Sequence, residues 1–171
     1  MTLETARLLL RPFSQEDFED FSVLILDKMS SPMSVYDDPF PTDEEGLHRV
    51  LSWFVSTDQF FALELKATHR VIGLASLNRV DDQTRNLGYC IRSDHQGQGY
   101  ATEAVAAMVE HARALPGVCR LVAGTAQCNT PSVRLLERAG FRLTGESTTS
   151  FAKDAEGNPI EFPSFSFEKA L

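Results

Sequence analysis

The residues most suited to binding chemistry form a glycine-rich stretch, Gln96-Gly97-Gln98-Gly99-Tyr100-Ala101-Thr102. An apolar run with strand composition precedes it, and apolar residues spaced every three or four positions follow it, as on a buried helix face. The free amides at a helix start and the positive end of its dipole attract anions, which glycines allow to approach closely. The stretch therefore predicts a phosphate site at a strand-to-helix turn, although two glycines could also serve only to make the turn tight.

Two common phosphate loops do not fit this stretch. A P-loop ends in Gly-Lys-Ser/Thr, whereas no lysine follows Gly99, and a dinucleotide fingerprint needs a third glycine or alanine where Thr102 stands. The run from Gln96 to Ala101 instead resembles the Gln/Arg-x-x-Gly-x-Gly/Ala pyrophosphate motif of the GCN5-related N-acetyltransferases (GNAT), in the position where that family has it. The resemblance implies that acetyl-CoA is the co-substrate and that residues 96–102 bind it.

A second stretch, Asn129-Thr130-Pro131-Ser132, opens a short helical pattern that ends at Gly140-Phe141. Asn129 or Thr130 fits the N-cap, proline fits the first helical position, and glycine fits the C′ position. The stretch resembles the second GNAT signature, Asn-x-x-Ser followed by a helix that ends in Gly-Phe. The resemblance implies that Ser132 is catalytic, donating a hydrogen bond to the CoA sulfur as the thioester breaks, and that Asn129 holds the pantetheine arm.

The strand before the glycine-rich turn is expected to contribute through its backbone. In the family this strand carries a bulge and splays away from the next one, so the resemblance implies that Cys90 and Ile91 bind the pantetheine amides as an added strand would. One amide there would polarise the thioester carbonyl. The thiol of Cys90 itself is expected to pack in the strand rather than react.

Direct attack of a neutral amine on a thioester passes through a tetrahedral oxyanion and expels a thiolate. The site therefore needs a route for the amine proton, a donor for the oxyanion and a donor for the sulfur. No nucleophilic triad stands out, and direct transfer needs none. The histidines are all expected on surface elements: His48, His69, His95 and His111.

The general base is left open by the sequence. Many relatives carry a glutamate just before the Gly-Tyr pair of the strand, and this chain has Asn86 there. Four carboxylates remain as candidates, with Glu103 expected to be a structural first-turn residue: Glu103, Glu64, Asp37 and Asp38. A water relay is an equal alternative.

Two helices, expected at 14–28 and 43–56, flank a loop at 29–42 that is rich in Ser, Pro and Asp. In the family these helices and their loop form one wall of the acceptor site. Tyr36, Asp37 and Asp38 are therefore candidates to meet an incoming ammonium group. A solvated acidic loop with no binding role is the alternative.

The chain opens with Thr5-Ala6-Arg7-Leu8-Leu9-Leu10-Arg11-Pro12, a short strand stopped by proline. With Asp17 five residues later, this string resembles the N-terminus of the RimJ/RimL branch, which includes acetylases of ribosomal-protein N-termini. Ser14 with Asp17 three residues later also resembles a capping box at the start of the first helix, with Asp in place of Glu. Further strands are expected at 59–66, 71–80, 86–91, 121–127, 142–152 and 160–168. The expected fold class is α/β (α+β), a single domain over 1–171 with a mixed, mostly antiparallel seven-stranded sheet and about four helices.

Composition limits the classes of partner and the cellular compartment that can be expected. A formal charge of −8 argues against nucleic acid or an anionic membrane as a partner. Because coenzyme A is itself anionic, its site must use local donors such as Arg92 or Arg134. The three cysteines have no metal-like or paired spacing, so they are expected to be buried or partly buried free thiols in a reducing compartment, with no metal cofactor. No apolar stretch reaches about 18 residues, and a cytoplasmic location is expected.

The sequence thus predicts an acetyl-CoA-dependent N-acetyltransferase that acts on a primary amine, such as a protein N-terminal α-amine. Two alternatives stay open: acetylation of a small amine such as a polyamine or an aminoglycoside-like antibiotic, and a CoA-binding module without turnover. A homodimer is compatible with either enzyme.

Overall fold

Eight strands form one sheet in the computed structural model, which describes residues 1–171. The strands are β1 (Leu3–Glu4), β2 (Leu8–Pro12), β3 (Phe60–Leu65), β4 (Arg70–Arg79), β5 (Thr84–Ile91), β6 (Arg120–Ala126), β7 (Arg142–Lys153) and β8 (Pro159–Ala170). Their order is β1-β2-β3-β4-β5-β6-β8-β7, and β5–β6 is the single parallel pair. The predicted mixed sheet is confirmed with one strand more than expected, because two residues at the N-terminus pair with β2.

Four α-helices were expected and four are found: α1 (Phe18–Ser30), α2 (Glu44–Ser56), α3 (Tyr100–Ala114) and α4 (Thr130–Arg138). The segment predicted to be a loop at 29–42 is partly helical. α1 continues to Ser30, and a 3-10 helix spans Pro32–Tyr36. It forms because the Ser31 hydroxyl accepts the amide of Met33, and proline fits the first helical turn.

The start of α1 is tied to the sheet through Arg11 of β2. Ser14 and Asp17 form the predicted capping box, and Asp17 also takes a bidentate ion pair from Arg11, with N–O distances of 2.8 and 2.9 Å. The Nε of the same guanidinium donates to Glu64 of β3 at 2.6 Å. The hydrogen bond from Arg11 is the main cause that holds the pKa of Glu64 below its ordinary value.

The helices cover opposite faces of the sheet. One apolar cluster joins α1 and α2 to one face of β3 and β4, and the other joins α3 and α4 to the opposite face, where Tyr89 also packs. This follows from the alternation of side chains along a strand, since Phe60 and Ala62 belong to the first cluster and Phe61 and Leu63 to the second. None of the helices has the length and apolarity needed to cross a membrane.

Two sequence-based expectations about exposure are wrong. Cys119 and Cys128 are exposed rather than buried, because they lie just outside β6. His111 is buried rather than on the surface, because it lies on the inner side of α3 and contacts the ring of Phe61 edge-on. Burial is the main cause that lowers the pKa of His111 from its ordinary value.

Candidate functional site

The candidate site begins where β5 and β6 part. Their parallel pairing runs from Thr84↔Arg120 to Asn86↔Val122 and then stops, while β6 goes on pairing with β8 as far as Ala126. The rest of β5, residues 87–91, pairs with β4 alone. This leaves a notch between the two central strands, where the sequence resemblance placed a splay.

The backbone of β5 presents alternate residues to this notch. The amide of Arg92 donates to the carbonyl of Ile72 on the β4 side, at 2.8 Å. In an antiparallel ladder every second residue faces the same neighbour, so Cys90 also turns its N–H and C=O to β4, whereas Tyr89 and Ile91 turn theirs to the notch. Of the two predicted pantetheine-binding residues, Ile91 therefore has its backbone on the open side.

The glycine-rich turn leads from the notch into α3. Gly97 has a φ of 73° and Gly99, the N-cap of α3, has a φ of 83°. Both lie in the left-handed region that favours glycine. A Cβ on Gly97 would meet no atom within 4 Å, and one on Gly99 would have only Nη2 of Arg7 in reach, at 3.4 Å. The turn thus exposes backbone at the N-terminus of α3, a helix of 15 residues. This is the geometry that binds phosphate.

Arg7, the residue before β2, clamps this turn. Its Nη1 donates to the carbonyl of Gln98 at 2.9 Å, its Nε donates to Glu103 at 2.8 Å, and its guanidinium carbon lies 4.3 Å from the ring centroid of Tyr100. Glu103 also accepts the backbone amide of Arg7 and the hydroxyl of Thr5. Burial alone would raise the pKa of Glu103, but these hydrogen bonds outweigh it and leave the pKa below its ordinary value.

The other predicted cofactor residues of the turn have mixed roles. The side-chain amide of Gln96 donates to the carbonyl of Ile91 at 2.8 Å, so it closes the turn against β5 and leaves the amide of Ile91 as the group facing the notch. Ala101 and Thr102 lie in the first turn of α3. Arg92 is held by Asp94 through two hydrogen bonds of 2.7 and 2.8 Å, whereas Arg134 on α4 is exposed.

Ser132 lies beside the notch, at the start of α4. Asn129 is the N-cap of this helix and accepts the amide of Ser132 at 3.4 Å, so the asparagine, and not Thr130, caps it. The Oγ of Ser132 is 2.7 Å from the phenolic oxygen of Tyr89 on β5. The structure therefore joins the two predicted α4 residues to the strand whose backbone faces the notch.

The predicted acceptor residues lie on the other face of the sheet. Lys28 of α1 forms an ion pair with Asp37, so the charge of this aspartate is offset locally. Asp38 donates its amide to the carboxylate of Asp37 and is exposed. The ring of Tyr36 meets Phe162 of β8 edge-on, with centroids 5.1 Å apart. The 3-10 helix thus packs against the β7–β8 hairpin on this face.

Consecutive residues of β5 connect the two sides. Tyr89 packs on the side of α3 and α4, and Cys90 packs on the side of α1 and α2. Cys90 is close enough to Lys28 and Asp37 for their charges to influence its pKa. Burial is the main cause that raises the pKa of the Cys90 thiol to about 11. At pH 7 it is a thiol rather than a thiolate, which favours direct transfer over a covalent cysteine intermediate.

The carboxylates considered as bases are largely engaged. Glu103 and Glu64 sit in ion pairs with Arg7 and Arg11, and the pKa of each is below its ordinary value. A carboxylate with a low pKa is a weak general base at neutral pH. Asn86 borders a cavity of about 430 Å³ whose other lining residues are uncharged: Val80, Val122, Ala123, Gly124, Thr144, Ser166 and Phe167. This geometry favours a water relay over these carboxylates.

A family model described as an acetyltransferase (GNAT) domain matches residues 7–142. The chain belongs to the GNAT acetyltransferase family. The match runs from Arg7 to Arg142, the first residue of β7, and so includes both signatures predicted from the sequence.

Two relatives match about half of this GNAT protein. The uncharacterised N-acetyltransferase p20 of Bacillus licheniformis is 31% identical over 87 residues, which cover 50% of this chain and 49% of the relative. The ribosomal-protein-serine acetyltransferase of Escherichia coli is 32% identical over 77 residues, 44% of this chain and 43% of the relative. Each match thus spans less than half of the relative's length. These comparisons confirm the resemblance to the RimJ/RimL branch.

Among solved structures, RimL, an alpha-N-protein acetyltransferase of a ribosomal protein in complex with coenzyme A, superposes with a TM-score of 0.81. It is 17% identical, and the match covers 100% of this chain and 98% of RimL. At this identity the likeness shows the fold alone, and it confirms the predicted GNAT fold.

Sequence reasoning missed three contacts of this GNAT site. Tyr89 was only a landmark in a Gly-Tyr pair, Arg7 belonged to an N-terminal string, and Lys28 ended a predicted helix. A ring with a hydroxyl among the apolar residues at 87–91 was the signal available for Tyr89. The partners of Arg7 and Lys28 depend on how distant segments pack, which no local pattern records.

Proposed function

We propose that this protein moves the acetyl group of acetyl-CoA to a primary amine by direct attack, and that the amine is a protein N-terminal α-amine. The observation that carries the proposal is the notch beside β5, with an exposed glycine turn at its α3 end and the Ser132 hydroxyl at its α4 end. In this arrangement the turn binds the pyrophosphate, Ile91 and Asn129 hold the pantetheine arm, and Ser132 faces the sulfur.

The reaction balances without an added reagent. The amine nitrogen bonds to the thioester carbon, the C–S bond breaks and its electron pair stays on the sulfur. The nitrogen loses a proton and the departing sulfur gains one, so the products are the amide and CoA thiol. An amide facing the notch stabilises the oxyanion, and water carries the amine proton because the candidate glutamates, Glu103 and Glu64, are held in ion pairs.

The absence of an evident strong base favours an α-amine as the acceptor. An α-amine with a pKa of about 8 is roughly one-tenth neutral at pH 7, whereas a lysine amine with a pKa of about 10.4 is neutral in fewer than about 1 in 1,000 molecules. A site that relies on water therefore works far better with the former. The similarity to the E. coli relative, a ribosomal-protein-serine acetyltransferase, supports a protein as the acceptor.

The test is CoA release from acetyl-CoA over a panel of peptides with free N-terminal Ser or Ala, spermidine and an aminoglycoside. We expect the peptides to be acetylated fastest. One peptide of the panel also contains a lysine, and blocking its N-terminus should abolish its acetylation. Faster reaction with spermidine or the aminoglycoside would instead support a small-amine enzyme. Stabilisation by CoA without any turnover would support a binding module.

The acidic loop gives a prediction about the acceptor. Replacing both aspartates, as in Asp37→Asn with Asp38→Asn, should raise the acceptor KM by about twofold to fivefold, the range expected for exposed charges. The KM for acetyl-CoA should not change, and Asp58→Asn, at an exposed aspartate after α2, serves as the control for the loss of a surface carboxylate. An unchanged acceptor KM would leave the loop as a solvated surface.

Asn129 gives a second prediction that separates binding from capping. Asn129→Ala should raise the KM for acetyl-CoA and also lower the free energy of unfolding by about 1 kcal/mol, because it removes the N-cap of α4. Asn129→Ser keeps a capping oxygen, so it should raise the KM with little loss of stability. If Asn129→Ser restored the wild-type KM, the asparagine would act only as a cap.

The remaining parts of the proposal concern setting and assembly. The three free cysteines fit a cytoplasmic location, where thiols stay reduced. A homodimer stays a prediction, which the mass measured by light scattering would check.

A further inference from the structure

The hydroxyl of Ser132 does not cap α4. Its backbone amide is taken by Asn129, which caps α4, and the hydrogen bond recorded for its Oγ is the one with Tyr89, at 2.7 Å. A serine hydroxyl has one proton and two acceptor sites. Which of the two oxygens donates therefore decides whether Ser132 still has a proton to offer to a third group.

The ring of Tyr89 is held in place by the fold. It lies on β5 in register with Ala75 of β4, and it packs against the apolar cluster beneath α3 and α4. Burial is the main cause that raises the pKa of Tyr89 above its ordinary value, so the phenol carries its proton at neutral pH. Its hydroxyl is thus an intact donor, fixed by the strand rather than by a flexible loop.

The chemistry of the two hydroxyls sets the direction of the bond. A phenol is far more acidic than an aliphatic alcohol and its oxygen is a weaker acceptor, so the favoured arrangement has Tyr89 donating and Ser132 accepting. The serine proton is then left to point elsewhere. A hydroxyl that accepts one hydrogen bond also becomes a stronger donor, since linked hydrogen bonds polarise one another.

We propose that Tyr89 is a positioning residue, which donates its hydroxyl proton to Ser132 Oγ and thereby directs the serine proton at the sulfur of the departing CoA. The inference rests on the proposed function and extends it to a residue on the opposite side of the notch. It explains why the hydroxyl of Tyr89, near the end of β5, is aimed at α4.

Tyr89 gives up no proton in this scheme. As the C–S bond breaks, negative charge grows on the sulfur, and the Ser132 hydroxyl donates a hydrogen bond to it while Tyr89 goes on donating to Ser132. The proton that the thiolate finally takes comes from solvent, which receives the one lost by the amine. Tyr89 acts only through Ser132.

Tyr89→Phe removes the hydroxyl and keeps the ring that packs in the core. We expect kcat to fall about threefold to tenfold, the factor that a neutral hydrogen bond is worth, with the KM for acetyl-CoA changed less than about twofold. The assay uses the fastest acceptor of the peptide and amine panel. Thermal melts with and without CoA check that folding and cofactor binding persist.

A double-mutant cycle tests whether Tyr89 acts through Ser132. In a Ser132→Ala background, Tyr89→Phe should change kcat no further, whereas independent roles would multiply the two losses. The inference is overturned if the losses multiply, or if Tyr89→Phe keeps full kcat while Ser132→Ala loses it. A wild-type protein that releases no thiol with any acceptor would refute the proposed function and, with it, this role for Tyr89.

Discussion

CoA should fail to raise the melting temperature of a Gly99→Glu variant at concentrations that saturate the wild-type protein. Gly99 is the N-cap of α3 and lies in the turn proposed to hold the pyrophosphate. A glutamate there would place both a side chain and a negative charge where the phosphates should lie. A ligand at about 100 times its Kd stabilises by about 2.7 kcal/mol, so the loss is large enough to measure in a thermal melt.

The variant needs a control for backbone strain. Gly99 has a φ of 83°, so any side chain there also costs roughly 1 to 2 kcal/mol of conformational energy. Gly157, in the turn between β7 and β8, has a φ of 85° and open space around its Cβ position. Gly157→Glu should lower the melting temperature in a similar way and keep the full response to CoA. A full CoA response in Gly99→Glu would show that the cofactor binds elsewhere.

Ser132→Ala should lower kcat by roughly 10- to 100-fold and shift the KM for acetyl-CoA little. General acid assistance is typically worth about 10² to 10⁴ in rate, and a thiol with a pKa of about 8.5 is already a good leaving group, which sets the loss at or below the low end. An interaction made only as the C–S bond breaks affects kcat and not ground-state binding. Steady-state kinetics with the best acceptor of the panel measures both.

Folding of this variant is not expected to suffer. The N-cap of α4 is Asn129, so the loss of the Ser132 hydroxyl leaves the cap intact. Ser56→Ala removes a hydroxyl at the end of α2 and serves as the matched control, with wild-type kinetics expected. Full kcat in Ser132→Ala would show that the departing sulfur does not depend on a hydrogen bond from Ser132 and that another group, such as Tyr100 or water, stabilises it.

Features that depend on local backbone chemistry could be predicted from the sequence. Gly97, Gly99 and Gly140 all have positive φ. Each position was predictable because glycine is the residue that adopts this conformation most readily in turns and after helix ends. The capping box at Ser14 and the ends of α4 were likewise readable from single residues. The mixed, mostly antiparallel sheet followed from the family resemblance together with the run of apolar segments.

Features that depend on contacts between distant residues could not be predicted. Tyr89 and Ser132 are 43 positions apart, and Arg7 lies 96 positions from Glu103. Such pairs have no sequence spacing of their own, because the fold alone brings them together. The pairing of Lys28 with Asp37 was missed for a related reason, since 29–42 was expected to be a loop and the 3-10 helix at Pro32–Tyr36, which lies between the two residues, was not predicted.

The central claim is that acetyl-CoA binds in the notch beside β5, and a titration of ¹⁵N-labelled protein with CoA tests it most directly. The account predicts that the largest amide shifts occur in the turn at 97–102, at Ile91 and at the start of α4. A separate cavity of about 640 Å³ lies between the N-terminal residues and α3 and is lined by Met1, Leu3 and His111 among others. Shifts confined to that cavity, with none in the turn or at α4, would contradict the account.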